Sequence, residues 1–245
     1  MTTEKKRRFP LATVLLFVIA VLLLLFSTLG GARAALTYST EANAYTNEIG
    51  MMSAGISLYE NGKPVSGTLL DDFGESDGFV VPNKDYEEVL YVENSGDPTK
   101  GDVDEYIRVV IYAYWADEKD EKAPELDASF IIPHILGGNW LRDDSACTDE
   151  RTVLYYSKVV PAGGSTEPFM DSLKIDEKVL YYVSQTSSTS AGHTTYSTNF
   201  FYDGKHVCLE VEADAVQSHH AQDAILSAWG RSVSIDEASG TLRLN

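Results

Sequence analysis

The stretch Tyr106-Ile-Arg-Val-Val-Ile-Tyr-Ala-Tyr-Trp115 decides the fold that this sequence predicts. Apolar residues alternate along it with a second set, which is the two-residue period of a β-strand. The first set faces one way and comprises Ile107, Val109, Ile111, Ala113 and Trp115. The second set faces the other way and comprises Tyr106, Arg108, Val110, Tyr112 and Tyr114. The stretch therefore predicts a central strand with one dry face and one aromatic, half-covered face.

Shorter strand-like runs recur on both sides of this stretch. Most are rich in β-branched and aromatic residues, which favour strands. The runs are residues 55–59, 89–92, 152–160, 232–235 and 241–244. Asn61-Gly62, which follows the first run, is typical of a two-residue hairpin turn. A further hairpin is predicted where residues 199–202 and 205–211 flank Asp203-Gly204.

One helix and one long loop complete the outline. The helix is predicted near the C-terminus, where residues recur at helical spacing: Ala221, Ala224, Ile225, Ala228 and Trp229. Ser218 is expected to cap its start, and Gly230 its end. Residues 184–198 are rich in Ser, Thr and Gly and are predicted to form a mobile loop. Many short strands, one short C-terminal helix and long loops predict an all-β fold, an antiparallel β-sandwich.

The N-terminus has the features of an export signal. Residues 11–26 are apolar except Thr13, and the basic run Lys5-Lys6-Arg7-Arg8 precedes them. Small residues follow, which predicts a signal peptide over residues 1–35 with cleavage after Ala34 or Ala35. An uncleaved membrane anchor is the alternative, because the apolar run extends to Leu29. With cleavage, contact with the membrane ends once the signal is removed, and the protein is secreted.

The segment that cleavage would release is compatible with a strand. Residues 36–50 carry apolar positions among polar ones, namely Leu36, Tyr38, Ala42, Ala44 and Ile49. We expect this segment to be flexible, with little to hold it to its own domain, and able to add as a strand to a sheet edge. Residues 51–245 are expected to form a single β-sandwich domain.

The charge of the chain restricts its partners. The formal net charge is −18, and residues 1–35 hold five basic residues and one acidic residue, so residues 36–245 carry −22. Binding to nucleic acid needs clustered Lys and Arg, which are absent after residue 35. The expected partners are neutral or cationic molecules, or other copies of this chain brought together by something other than charge. Arg108, a cation on the half-covered face of its strand, is expected either to extend its charged end to solvent or to pair with an acid such as Asp104.

No sequence pattern for catalysis or metal binding occurs. The sequence contains neither a His-Glu-x-x-His motif nor a Gly-x-Ser-x-Gly motif. The five histidines are His134, His193, His206, His219 and His220. Two acidic runs, residues 71–77 and 97–104, lack the spacing of an EF-hand loop, and a structural Ca²⁺ there stays open. We expect no enzyme activity, no cofactor and no metal site. A disulfide between Cys147 and Cys208 also stays open, because export permits the bond but does not require it.

Motifs along the whole chain resemble those of the TasA/camelysin family of secreted proteins. They are Gly30-Gly31, Thr37-Tyr38, Thr46-Asn47, Gly55, Leu58-Tyr59-Glu60, residues 92–96, residues 104–109, residues 211–217 and Ala228-Trp229-Gly230. The pair Thr37-Tyr38 is inverted relative to the usual family order, in which the aromatic residue comes first.

The resemblance implies a jelly-roll-like sandwich and export through a dedicated signal peptidase of the SipW type. It also implies a structural protein of the biofilm matrix or cell surface, in which subunits join head to tail by donating the N-terminal strand. Two alternatives are a camelysin-like surface metalloprotease and a monomeric surface adhesin.

Overall fold

Two five-stranded antiparallel sheets pack face to face around one apolar core. The computed structural model describes residues 37–43, 55–71, 73–76, 78–100, 102–190 and 193–245. The predicted signal peptide, its cleavage positions Ala34 and Ala35, and Leu36, Ala44 and Ile49 of the N-terminal segment lie outside these ranges. Within the described ranges, no helix is long and apolar enough to cross a membrane.

The first sheet contains the two longest strands in the described part of the chain, Glu105–Ala116 and His206–Gln217. Its order is β1, β12, β5, β8 and β7, with the bounds β1 Thr37–Asn43, β12 His206–Gln217, β5 Glu105–Ala116, β8 Arg151–Tyr156 and β7 Trp140–Arg142. All neighbours in it are antiparallel. β12 and β5 pair along their full length, from His206 opposite Ala116 to Gln217 opposite Glu105.

The second sheet covers the inner face of the first. Its order is β3, β2, β4, β9 and β6, with the bounds β3 Lys63–Pro64, β2 Ile56–Glu60, β4 Asp85–Asn94, β9 Met170–Ile175 and β6 Ile131–Ile135. The turn between β2 and β3 is Asn61-Gly62, as predicted, and both residues have positive φ. That backbone is the one for which Asn and Gly are favoured in a two-residue hairpin.

The remaining elements lie outside the two sheets. They are the hairpin of β10 Val183–Ser190 with β11 His193–Phe200, the hairpin of β13 Val233–Ile235 with β14 Leu242–Leu244, the helix α1 Ala221–Trp229, and three 3-10 turns at Pro98–Lys100, Ala128–Phe130 and Glu177–Tyr181. The all-β antiparallel sandwich is therefore confirmed, and α1 is the only α-helix in the described part of the chain.

The two faces of β5 match the prediction. The predicted inward set belongs to the core cluster, together with residues of the second sheet such as Leu90 and Met170. On the other face Tyr106 and Val110 are buried, whereas Tyr112 and Tyr114 are partly exposed. Alternation alone identified this strand because one of its faces is dry and the other is only partly covered.

Three local predictions are wrong. β12 does not form a hairpin with residues 199–202; it pairs with β5 and β1, while β11 pairs with β10. Residues 184–198 are not a loop, since nearly all of them belong to β10 and β11. Ser218 does not cap α1: the N-cap is His220, without a side-chain hydrogen bond, while the backbone N–H of Ser218 donates to Asp104 O. Gly230 does end the helix, with φ of 67°.

Candidate functional site

One of the two edge strands of the first sheet is β1, the first strand after the predicted cleavage junction. β1 pairs with β12 in an antiparallel register of seven residues, from Thr37 opposite Val216 to Asn43 opposite Glu210. In this structure Thr37–Asn43 therefore lies against its own domain through backbone pairing. β12 is longer than β1, and its residues 210–216 provide the edge on which β1 pairs.

β12 is a core strand that needs a neighbour on this side. Its inward residues Val211, Ala213 and Ala215 are at most 1 % exposed and belong to the core cluster. Without β1, the backbone N–H and C=O groups of residues 210–216 that point to β1 would lose their partners. A strand at this position therefore satisfies the backbone groups along this side of β12.

The backbone ladder holds β1 with a small net free energy. Every second facing pair of an antiparallel ladder exchanges two hydrogen bonds, so seven pairs correspond to about 6 to 8 bonds. Each bond adds about 1 kcal/mol net. Fixing the backbone of one residue costs about 1 kcal/mol or somewhat more, which for seven residues is of similar size. β1 can therefore leave its position beside β12, and an equivalent strand from another copy can replace it.

The connection after β1 is long enough for such an exchange. Residues 44–55 separate β1 in the first sheet from β2 in the second sheet. Twelve residues, fully extended, span up to about 40 Å, which is more than the width of a small domain. At the far end of this connection Gly55 has φ of 114°, a backbone that favours glycine.

On the outer face of the same sheet, Arg108 forms a partly buried ion pair, but not with the predicted partner. Its Nε donates to Asp214 Oδ2 at 2.9 Å, and its Nη2 donates to the same oxygen. Asp214 lies directly opposite Arg108 on β12. The pairing was not predicted because the two residues are far apart in the sequence. Asp104 instead accepts a hydrogen bond from the backbone N–H of Ala162.

This ion pair attaches α1 to the sheet. The guanidinium of Arg108 lies 5.3 Å from the ring centre of Trp229, the last residue of α1. The ring of Tyr155, on β8, lies 5.6 Å from that of Trp229. Burial raises the pKa of Tyr155, so its hydroxyl stays protonated. An ion pair whose cation contacts an aromatic ring suits a structural clamp between α1 and the sheet.

Two cavities lie beside these features. A cavity of about 610 Å³ lies at one end of the sandwich and is lined mainly by apolar and aromatic residues, including Phe73, Trp115, Phe200 and Tyr202. A second cavity, of about 440 Å³, lies on the outer face near α1 and is lined by Arg108, Arg151 and Arg231 among others. Sequence reasoning missed both, because each is assembled from segments far apart in the chain.

The histidines and acidic runs act locally in the structure. His134 Nδ1 lies 2.7 Å from Asp171 Oδ1, and this hydrogen bond lowers the pKa of Asp171. The acidic side chains in residues 97–104 accept hydrogen bonds from nearby backbone N–H groups; Asp97, for example, accepts from Thr99. Among the residues that the structure describes, no three His, Cys, Asp or Glu side chains come together as a metal site.

Both cysteines carry free thiols, so the disulfide left open by the sequence is not formed in this structure. Cys147 lies in the loop before β8, where its sulfur accepts a hydrogen bond from the N–H of Val153. Cys208 is buried on β12, and burial, together with the negative charge of Glu210, raises its pKa to about 12. A thiol with so high a pKa is a weak nucleophile at neutral pH.

Comparison of the chain with protein-family models, with curated proteins and with solved structures found no match. The site therefore has to be interpreted from its own geometry, and its main chemical capacity is backbone pairing at the edge of the first sheet.

Proposed function

We propose that this protein is an exported structural subunit of the biofilm matrix or cell surface, which polymerises when β1 of one copy occupies the edge of β12 in the next. The observation that carries the proposal is the position of β1: it is the strand that follows the predicted cleavage junction, and it lies at a sheet edge. Removal of the signal by a SipW-type peptidase would free this strand. The same proposal includes membership of this chain in the TasA/camelysin family and a jelly-roll-like connection of its strands.

Exchange between copies uses the contacts that β1 makes within its own chain. The donated strand would form the same seven-residue register with β12, so little backbone pairing is lost or gained. Such a contact is head-to-tail, because each copy donates a strand at one place and accepts one at another, and it grows a fibre when it does not close into a ring. Main-chain hydrogen bonds do not depend on net charge, which matters for copies that carry −22 each over residues 36–245.

Two proteins test the proposal, one beginning at Leu36 and one beginning at Gly50. Light scattering and electron microscopy should show fibres from the longer protein only. Fibres from the protein that begins at Gly50 would contradict strand donation.

A synthetic peptide of residues 36–50 separates a folding defect from a loss of donation. Added to the protein that begins at Gly50, it should fill the edge of β12 and raise the melting temperature without producing fibres. Added in excess to the protein that begins at Leu36, it should slow fibre growth by occupying acceptor edges. No effect in either mixture would contradict the proposal even if the shorter protein folds poorly.

A further inference from the structure

The hairpin of β10 and β11 is exposed along its whole length. The two strands form eight facing pairs, from Val183 opposite Phe200 to Ser190 opposite His193. Every residue of both strands is exposed to solvent. Within the described part of the chain they form a two-stranded sheet of their own. Isolated two-stranded hairpins are at best marginally stable in water, so a hairpin this long suggests a covering partner.

The hairpin has two chemically different faces. Residues that face each other across an antiparallel pair share a face, and faces alternate along each strand. One face, here called the aromatic face, holds Val183, Tyr196 and Phe200, which are 40 %, 66 % and 44 % exposed, with side-chain hydrogen bonds between Gln185 and Thr198 and between Thr189 and Thr194. The other face, here called the hydroxyl face, holds Ser184, Thr186, Ser188, Ser190, His193, Thr195, Ser197 and Asn199.

Charge indicates which partner the aromatic face fits. Residues 179–202 form the longest run after residue 35 without Asp, Glu, Lys or Arg. The rest of residues 36–245 carries the whole charge of −22, so identical copies repel each other at most surfaces. A cationic partner would bind the acidic surfaces rather than this uncharged hairpin. The hairpin is therefore the surface on which two copies meet at the lowest electrostatic cost.

We infer that the aromatic face of the β10–β11 hairpin packs against the same face of a second copy around a twofold axis. Tyr196 lies near the middle of the hairpin, in the fifth of its eight pairs from the Val183 end, so a twofold axis that lies between the two faces at the middle of the hairpin brings the two Tyr196 rings together. A contact of this kind is self-complementary, since each copy presents the same patch.

The size of the face makes the contact weak. Eight residues at about 3.4 Å each, across two strands that each occupy a width of about 4.8 Å, give a face of about 260 Å². Two such faces bury far less than the roughly 1,200 Å² of a stable, specific interface. The contact is therefore transient between single copies and becomes strong only where many copies are arrayed, as along a fibre. The strong contact between arrayed copies rests on the proposed function, whereas the pairwise contact does not.

Chemical cross-linking tests the pairwise contact. Tyr196→Cys and the matched control Thr195→Cys place a thiol on the aromatic face and on the hydroxyl face of the same strand, in a Cys147→Ser background. Faces of packed sheets lie about 10 Å apart, too far for a direct disulfide, so a short bis-maleimide linker is used. At protein concentrations of about 100 μM, the Tyr196→Cys protein should give at least fivefold more covalent dimer than the control. Equal yields would overturn the inference.

Sedimentation equilibrium gives an independent measurement without added thiols. The protein beginning at Gly50, mixed with the peptide of residues 36–50 so that it does not form fibres, should show a monomer–dimer equilibrium, whose dissociation constant rises at least tenfold with Tyr196→Asp and less than threefold with Thr195→Asp. A protein that stays monomeric at 500 μM, or equal effects of the two substitutions, would overturn the contact. In electron micrographs Tyr196→Asp should leave fibres of normal length that no longer associate side by side, whereas loss of residues 36–49 should abolish the fibres themselves.

Discussion

Replacing Glu105 with glutamine removes an ionisable group that the sandwich buries at the start of β5. Glu105 is 2 % exposed, and its Oε2 has no hydrogen-bond partner in the part of the chain that the structure describes. Burial, aided by the negative charge of Asp102, raises the pKa of Glu105 from 4.5 to about 7. Glutamine keeps the shape of the protonated acid without its charge.

The sign of the effect follows from the proton that the folded state retains. Between pH 4.5 and about pH 7 the folded chain holds a proton that the unfolded chain has released. The free energy of unfolding therefore falls as Glu105 ionises between pH 4.5 and about pH 7. The loss is absent well below pH 4.5 and complete above about pH 7. A tenfold change in an ionisation constant is worth about 1.4 kcal/mol, so the whole difference is about 3 kcal/mol.

Urea denaturation at pH 5 and pH 8 measures this difference. Glu105→Gln should raise the free energy of unfolding by less than about 1 kcal/mol at pH 5 and by about 3 kcal/mol at pH 8. For a domain of this size the gain at pH 8 corresponds to about 6 to 12 °C in melting temperature. Glu125→Gln, at an exposed position, removes the same charge and should change stability little at either pH. An equal effect of Glu105→Gln at both pH values would refute the reasoning.

Two further substitutions test the packing and the backbone. Asp214→Asn leaves Arg108 without its counter-charge in a largely buried place and should lower the free energy of unfolding by about 3 kcal/mol. Glu150→Gln, at the exposed pair with Lys122, is the control and should lower it by at most about 1 kcal/mol. Equal losses from the two substitutions would contradict the role of Arg108 and Asp214 as a structural clamp. Gly62→Ala should lower the free energy of unfolding by about 1 kcal/mol because Gly62 has φ of 78°, although no atom lies near an added Cβ. Gly137→Ala is the control, since Gly137 also lies in open space but has no positive φ. An unchanged free energy of unfolding for Gly62→Ala would contradict backbone strain in this turn.

Local patterns in the sequence predicted those elements whose structure is set locally. β5 was predicted because its alternation reflects a dry inner face and a partly covered outer face. The turn at Asn61-Gly62 and the end of α1 at Gly230 were predicted because positive φ favours these residue types. In each case the physical cause acts within a few residues.

Features set by distant contacts were not predictable in this way. The pair Asp203-Gly204 suggested a local hairpin, but full-length pairing with β5, about ninety residues earlier, determines the neighbour of β12. β10 and β11 were missed because their Ser and Thr residues are also typical of loops. The partner of Arg108 was missed because Asp214 is its neighbour across strands and not along the chain.

The most direct test of the central claim is a disulfide trap between β1 and β12. Glu41 and Glu212 lie directly opposite each other in the register, so Glu41→Cys with Glu212→Cys, in a Cys147→Ser background, can form a bond across the pair. Oxidised after fibre growth and run on a denaturing gel without reductant, this protein should give a ladder of covalent multimers, because the two cysteines then belong to different copies. The single-cysteine variants should give no ladder. Fibres whose oxidised protein runs only as a monomer with an internal bond would contradict strand donation.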